Sequence, residues 1–193
     1  YSSSDVLDNQ TFYSKKIINR GTNTMSDFYI SVWADVDLGG PSDDFIRCDV
    51  NRNVGFGYNG QSSDQDYGAN PPVCGVQLLQ GALMDADEVD NDDDGIVDNE
   101  HLPMSNFFSY NNSSGPNGEP QISGDFYQYM RSFLINGEYA SCEFEGEQAN
   151  YLFPAFSVPE DDECYGSTEE SAGNPPSDRR FIMSTGPFTF EPG

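Results

Sequence analysis

Residues 27–37, which read DFYISVWADVD, decide the fold class of this chain. Their large side chains alternate, so that Phe28, Ile30 and Val32 fall on one side of an extended backbone and the intervening residues on the other. A period of two among β-branched and aromatic residues is typical of a β-strand. The pattern therefore predicts a strand at residues 27–37.

The segment before this strand, residues 11–19 (TFYSKKIIN), has a related pattern in which Phe12 and Tyr13 lead into Ile17 and Ile18. The letters between the two segments, NRGTNT, supply the Gly and Asn of a turn. Together they predict a β-hairpin or the edge of a β-sandwich.

Further short runs of apolar and aromatic residues predict more strands. They lie at residues 45–49, 54–58, 75–80 and 104–110, and at 181–184 followed by 188–190. We expect a mainly β protein, an Ig-like or jelly-roll-type β-sandwich with long loops. At 193 residues the chain can bury one sizeable core, so we expect residues 1–193 to form a single domain, as a segment of a larger secreted chain.

One short α-helix is predicted at residues 124–134. Apolar side chains recur there at the spacing of one helix face, namely Phe126, Tyr129, Met130, Phe133 and Leu134. Ser123 is a suitable cap for the start, and Asn136-Gly137 is a suitable end. We expect this aromatic face to pack in the core.

The charge balance narrows the classes of partner. The chain has 33 Asp and Glu against 8 Lys and Arg, a formal charge of −25. Nucleic acid and anionic membrane surfaces would be repelled, whereas cations and basic partners would be attracted. No apolar run approaches the length of a membrane helix, so membrane insertion is not expected.

The densest acidic run, residues 85–100 (DADEVDNDDDGIVDNE), has the spacing of a calcium loop. It places four aspartates around Gly95 in the pattern D-x-D-x-D-G-x-x-D, namely Asp90, Asp92, Asp94 and Asp98. Carboxylates two residues apart on a curling backbone converge on one point, where Ca²⁺ can take roughly six to eight oxygens. We predict one Ca²⁺ bound by these side chains.

The other positions decide the type of calcium loop. Ile96 would contribute its carbonyl oxygen, Val97 an inward anchor, and Glu100 or Glu88 a supplementary carboxylate. Position twelve is His101 instead of the bidentate Glu of an EF-hand, and no long amphipathic helix flanks the loop. The loop therefore matches the shorter thrombospondin type 3 or dockerin-like version. The alternative interpretation is a solvated acidic loop.

A second acidic cluster lies in residues 33–45, WADVDLGGPSDDF. The turn LGGPS could fold Asp43 and Asp44 back towards Asp35 and Asp37, which would gather four carboxylates at one sheet corner. A second Ca²⁺ would neutralise them. The alternative is an Asx-rich turn in which these side chains cap backbone amides.

Four cysteines are spaced widely, at Cys48, Cys74, Cys142 and Cys164, with no C-x-x-C pair. With one histidine in the chain, a zinc site is not expected, and disulfides of a secreted protein are the natural interpretation. Three pairings exist, of which we favour the two that close short intervals, Cys48 with Cys74 and Cys142 with Cys164.

No motif predicts an enzyme. His101 is the only histidine available to a nucleophilic triad, and no G-x-S-x-G accompanies it. The chain also lacks a Walker loop, G-x-G-x-x-G and H-E-x-x-H. Among so many carboxylates, no pair stands out as that of a glycosidase. We predict a protein without catalytic activity.

Several segments together resemble a recurrent region of large secreted Bacteroidota proteins exported by the type IX system. They read DFYISVWADVDLGGPSDDFIRCDVNRNVGFGYNG, YGANPPVCGVQLLQG, MSNFFSYNNSSG, GDFYQYMRSFLING and GNPPSDRRFIMSTGPFTFEPG, in chain order. The region occurs in poorly characterised surface, adhesin-like and filament-forming proteins. The resemblance implies secretion and an extracellular or cell-surface location.

Two functions fit these features. The first is a calcium-stabilised structural or adhesive module of a secreted surface protein or filament, which would associate with itself or with other surface proteins. The second is a carbohydrate-binding accessory of a polysaccharide-degrading enzyme. In that case exposed aromatic rings would stack on sugars, with Trp33, Tyr58, Tyr67 and Tyr110 as the candidates.

Overall fold

The computed structural model describes residues 7–90, 94–141, 149–156 and 167–193. Within these ranges the protein is mainly β, with one short helix, α1 (Ser123–Met130). The strands are β1 (Met25–Asp35), β2 (Asp44–Asp49), β3 (Val54–Asn59), β4 (Ser63–Asp64), β5 (Gly68–Ala69), β6 (Val73–Gln77), β7 (Asn106–Asn111), β8 (Pro154–Phe156) and β9 (Arg179–Phe190).

The two longest strands, β1 and β9, form a three-stranded antiparallel sheet with β7 in the order β1-β9-β7. In its register Ile182 of β9 lies opposite Trp33 of β1 on one side and Phe108 of β7 on the other. The first and last strands, β1 and β9, are therefore neighbours, and β9 is the central strand of the sheet.

A second sheet has four strands in the order β6-β3-β2-β8. Three of them pair antiparallel through short connections, whereas β8 joins β2 in parallel at Cys48 and Pro154. The short strands β4 and β5 form a separate two-stranded hairpin.

The two larger sheets pack face to face. Phe181 and Met183 of β9 point towards Ile46 and Cys48 of β2, and all four side chains are buried. Strand β3 passes close to this core at Gly55, because a Cβ there would lie 2.6 Å from the Phe107 ring. This packing gives the protein a β-sandwich-like arrangement.

The opposite face of the three-stranded sheet is covered by α1 and by residues 134–140 and 149–153. Tyr129 of α1 stacks on Phe108 of β7 with ring centroids 4.1 Å apart, and Ile182 of β9 packs in the same cluster. The expectation that the aromatic helix face lies in the core is confirmed at Tyr129, which is 0% exposed, but is wrong at Phe126, which is 36% exposed. The three-stranded sheet is therefore a middle layer with two apolar faces.

The predicted hairpin at the start of the chain is wrong. Residues 10–18 have no regular secondary structure, and β1 pairs with β9 instead. The side-chain amide of Asn19 donates to the carbonyl oxygens of Asn23 and Phe190, and Asn19 makes an isolated bridge to Pro192. These contacts hold residue 19 at the end of β9, where Phe190 pairs with Met25, the first residue of β1.

Other predicted boundaries shift. The interrupted strand predicted at residues 181–190 is the continuous strand β9, and the strand predicted at 75–80 begins and ends earlier, as β6. Helix α1 ends at Met130, before the predicted residue 134, and Ser132 then adopts a positive φ of 59°. Its first turn is capped by Asp125, which accepts the backbone N–H groups of Gln121 and Ile122, and not by Ser123.

The described ranges contain no helix of the length and apolar character that crossing a membrane requires.

Candidate metal centres

The acidic loop is closed at its base by an antiparallel bridge between Leu83 and His101. Met84 N donates to Glu100 O at 2.9 Å, and Leu102 N donates to Ala82 O at 2.8 Å. The loop is also attached to the end of β9, because Asp85 accepts both the backbone N–H and the hydroxyl of Thr189, each at 2.7 Å. Two sheet-like bonds and one side-chain contact therefore fix where the loop begins and ends.

Asp90 folds over the centre of this loop. Its Oδ1 accepts the Asp94 N–H at 3.1 Å and its Oδ2 accepts the Gly95 N–H at 2.8 Å. Gly95 has a φ of +88°, which an L side chain rarely adopts, so this residue permits the tight turn. Positions one, five and six of the predicted calcium loop are thus in hydrogen-bond contact. Each carboxylate oxygen keeps a lone pair beyond the one such a bond uses.

Asp94 and Asp98 have hydrogen-bond partners of their own. Asp94 Oδ1 accepts the Ile96 N–H at 2.7 Å, while Asp98 Oδ1 accepts the N–H groups of Asp87 and Glu88 at 2.8 and 2.9 Å. Asp98 therefore joins the two halves of the loop. Asp92 lies outside the described residues.

Two details of the loop differ from expectation. Ile96 and Val97 are 58% and 51% exposed, so Val97 does not serve as an inward anchor. Glu100 is only 6% exposed and lies at the base. His101 lies at the base as well, where Nδ1 donates to Gly81 O at 3.0 Å and Nε2 faces the Gln80 amide at 2.7 Å.

Within the described ranges, acid oxygens from three residues come within 4.8 Å of one another at Asp35, Asp37 and Asp178. The first two belong to the second predicted cluster, whereas Asp178 follows Ser177, whose backbone pairs with Asp44. Arg180 lies among them, 3.0 Å from Asp35 Oδ2 and 3.2 Å from Asp178 Oδ1. One guanidinium thus faces three carboxylates.

The excess of negative charge affects Asp37. Partial burial, and then the charges of Asp35 and Asp178, raise the pKa of the Asp37 carboxyl above its ordinary value. Arg180 opposes this effect without cancelling it. The group therefore attracts cations. Asp178 and Arg180 had no recognisable spacing in the sequence, because β9 brings them to β1 from 145 positions away.

Asp43 and Asp44, the other members of the predicted cluster, lie beside this group. Asp44 is 1% exposed, and its Oδ2 accepts the Leu38 N–H at 3.1 Å. Burial raises the pKa of Asp44 to about 6, and the charges of Asp43, Asp37 and Asp64 contribute to the rise. Oδ1 of Asp43 and Oδ1 of Asp44 are buried without a hydrogen-bond partner in the described part of the protein. A second Ca²⁺ here stays a prediction.

Asp64 has a structural role next to this cluster. Its carboxylate accepts backbone N–H groups from Gly40 at 3.0 Å, Asp66 at 2.7 Å and Tyr67 at 2.8 Å, and these bonds lower its pKa. Gly39 lies against it, because a Cβ there would be 2.0 Å from Asp64 Oδ1. The sequence offered capping of backbone amides by aspartates as the alternative to a second metal site. Such capping occurs at Asp64, outside the predicted cluster.

The predicted disulfide between Cys48 and Cys74 is wrong. The two thiols are not joined to each other; Cys48 is buried in β2, and Cys74 is exposed in β6. Strand β3 lies between those two strands, since Cys48 pairs with Gly55 and Cys74 with Gly57. The two cysteines are therefore separated by a strand. Cys142 and Cys164 lie outside the described residues.

The four candidate aromatic rings do not form a row for a sugar. Tyr110 is 1% exposed and packs on Tyr129, so its ring is covered. Tyr58 is half-buried and its hydroxyl donates to Glu170 at 3.0 Å. Trp33 and Tyr67 are 48% and 55% exposed, but Trp33 lies in β1 whereas Tyr67 lies in the turn between β4 and β5.

Compared with known protein families, with curated proteins and with solved structures, the chain matches none.

Proposed function

We propose that this protein is a calcium-stabilised extracellular module with a structural or adhesive role, without catalytic activity, in a secreted surface protein or filament. The observation that carries the proposal is the loop of residues 85–100, in which the Asp90 carboxylate bonds to the Asp94 and Gly95 amides. The resemblance to secreted type IX proteins of Bacteroidota supplies the extracellular location.

The chemistry of the loop supports calcium over other cations. All the candidate side-chain ligands in this loop are carboxylates, which are hard oxygen donors. No cysteine or histidine, the residues that favour softer metals, is among them. Magnesium demands a stricter octahedron and keeps its water, so an oxygen-rich flexible loop favours Ca²⁺. The net charge of −25 adds a general attraction for cations.

The position of the loop supports a structural role. Asp85 joins the loop to Thr189 of β9, and the bridge at its base precedes β7. A cation that held the loop would therefore stabilise the connection from β6 to β7 and its attachment to the end of β9. A calcium sensor transmits a movement through flanking helices, and the described residues on either side of the loop form no helix.

The test is a calcium titration by isothermal calorimetry on the whole chain. We expect a dissociation constant of about 0.1 to 1 mM, which is typical of extracellular modules. The variant Asp90→Asn/Asp94→Asn removes two ligand charges from the loop and should abolish the strongest binding. Asp66→Asn, an exposed aspartate in the β4–β5 hairpin, is the matched control and should bind as the unchanged chain does. Equal binding by all three proteins would contradict the proposal.

A further inference from the structure

One segment near the start of this acidic chain is basic. Residues 11–20 (TFYSKKIINR), the basic segment, contain Lys15, Lys16 and Arg20, three of the 8 cationic residues and both lysines. No acidic residue occurs between Asp8 and Asp27. Subtracting these three positive charges from −25 leaves −28 on the rest of the chain. The basic segment and the remainder are therefore strongly complementary in charge.

The basic segment also exposes large apolar side chains. Phe12 is 63% exposed, Tyr13 81%, Ile17 48% and Ile18 39%. Exposed apolar side chains gathered in one short stretch mark an interaction site in a soluble protein. The sequence of this stretch favours a strand, yet residues 10–18 pair with no strand in the described part of the protein.

Strand β1 offers the complementary surface. It is an edge strand of 11 residues that pairs with β9 on one side, and on its other side the described residues place no strand. Apolar side chains are exposed along it at Met25, Val32 and Trp33, with 41%, 37% and 48% of their surface accessible. A long edge strand with exposed apolar residues is a template for pairing with another chain.

The charge of this edge is negative. Asp27 and Asp35 lie on β1 and are exposed, and Asp35 belongs to the carboxylate group with Asp37 and Asp178 at the end of the strand. Arg180 is the one cation within ion-pair distance of Asp35 among the described residues. Lysines brought to this edge would find acidic partners.

We propose that residues 11–19 of one copy add as a β-strand to the free edge of β1 in a second copy of this chain. Nine residues in a strand span about 30 Å, close to the roughly 36 Å of β1. Phe12, Ile17 and Ile18 cover Val32 and Trp33 there, while Lys15 and Lys16 meet the acidic edge. The inference deepens the proposed structural role and rests on it for the setting in which copies meet.

The contact joins two different surfaces of the same chain. Each copy donates its basic segment at one place and accepts another at β1, so the interface is heterologous and builds an open chain or a ring. Within one copy, the bonds of Asn19 to Phe190 and Asn23 hold residue 19 near the end of β9 and leave its own β1 uncovered. The second copy therefore finds an open edge.

The experiment measures mass by light scattering as a function of concentration, with calcium and with chelator, on three forms of the whole chain. The unchanged chain is expected to assemble as its concentration rises. Lys15→Glu/Lys16→Glu damages the donor, and Val32→Lys damages the acceptor edge. Each variant is expected to require at least about tenfold higher concentration for assembly, because charge reversal or a buried lysine costs more than 1.4 kcal/mol at such an interface.

Mixing the two variants gives the sharpest result. The donor variant keeps an intact β1 edge and the acceptor variant keeps an intact basic segment, so the mixture is expected to form heterodimers that stop at two copies. Leu79→Ser, at a side chain 68% exposed in the β6–β7 connection, is the control and should assemble as the unchanged chain does. Met25→Lys replaces Val32→Lys if the latter lowers the melting temperature.

Two results would overturn the inference. One is an unchanged chain that stays monomeric at every concentration; the other is an assembly that neither variant weakens. Calcium titration of the same variants distinguishes failure of the assembly proposal from failure of the proposed function, because neither variant changes the loop of residues 85–100. Calcium binding without assembly refutes the strand addition alone.

Discussion

Arg179 and Glu169 form an ion pair of 2.7 Å although their side chains are only 4% and 1% exposed. Glu169 Oε1 also accepts the Ile46 N–H of β2 at 2.9 Å, and Arg179 donates to Pro175 O at 2.7 Å. Burial raises the pKa of Glu169, while the Arg179 charge opposes the rise. The pair thus ties residues 167–175 to both sheets.

Removal of one member of the Arg179–Glu169 ion pair should destabilise the folded protein. We predict that Arg179→Met lowers the free energy of unfolding by about 3 to 5 kcal/mol, because it leaves the Glu169 carboxylate buried without its counter-charge. Urea unfolding followed by circular dichroism measures the change.

The double variant Arg179→Met/Glu169→Leu should recover part of that loss, since no buried charge remains. Arg52→Ala is the control, because Arg52 pairs with Asp49 while 70% exposed and should cost less than about 1 kcal/mol. Equal costs for Arg179→Met and Arg52→Ala would contradict the structural role of the buried pair.

Gly39 and Gly68 provide a matched comparison. Their φ angles are +79° and +71°, but a Cβ at Gly39 would lie 2.0 Å from Asp64 Oδ1, whereas nothing lies within 4 Å of one at Gly68. We predict that Gly68→Ala costs about 1 to 2 kcal/mol from the backbone conformation alone. Gly39→Ala should cost at least about 2 kcal/mol more, because the Asp64 carboxylate must leave its amide donors. Thermal or urea unfolding of both variants decides the point, and similar costs would be evidence against the Asp64 cap.

Asp44 should make stability depend on pH when calcium is chelated. Its pKa is raised from an ordinary 3.8 to about 6, so the folded protein holds this proton more tightly than the unfolded chain does. The resulting stabilisation is fully present below about pH 4 and is lost as pH rises through about 6. At pH 7 the loss is roughly 3 kcal/mol.

The variant Asp44→Asn isolates this effect, since its amide oxygen can still accept the Leu38 N–H. We predict that the difference in melting temperature between Asp44→Asn and the unchanged chain grows in favour of the variant from pH 4 to pH 7. A difference in melting temperature that does not change with pH would show that burial does not raise the pKa of the Asp44 carboxyl.

The cysteines should differ in reactivity. Alkylation of the native protein followed by peptide mapping is expected to label the exposed Cys74 and to leave the buried Cys48 unlabelled until denaturant is added. If both became reactive only after a reductant was added, the two cysteines would be oxidised in the native protein.

Much of the strand pattern could be predicted, because short runs of apolar and aromatic residues favour strands. Strands β2 and β3 and the core position of Tyr129 follow from such local signals. The hairpin prediction failed for residues 11–19, because strand propensity does not specify a partner and β1 pairs instead with β9, over 140 positions away.

The candidate sites show the same division. The loop at residues 85–100 could be proposed from the sequence because all its candidate donors are local, and calcium binding there stays a prediction. The group of Asp35, Asp37 and Asp178 could not, since its third member arrives through the pairing of β1 with β9. The spacing of Cys48 and Cys74 was misleading for a related reason: β3 inserts between their strands.

The most direct test of the calcium proposal is the melting temperature of the whole chain with excess chelator and after calcium is restored to about 10 mM. With a dissociation constant of 0.1 to 1 mM this concentration adds about 1.4 to 2.7 kcal/mol of stability, or about 3 to 10 °C. We predict this rise in melting temperature with calcium and a smaller rise with magnesium. In Asp90→Asn/Asp94→Asn we predict that the rise is lost. The same melting temperature in chelator and in calcium would contradict the calcium proposal.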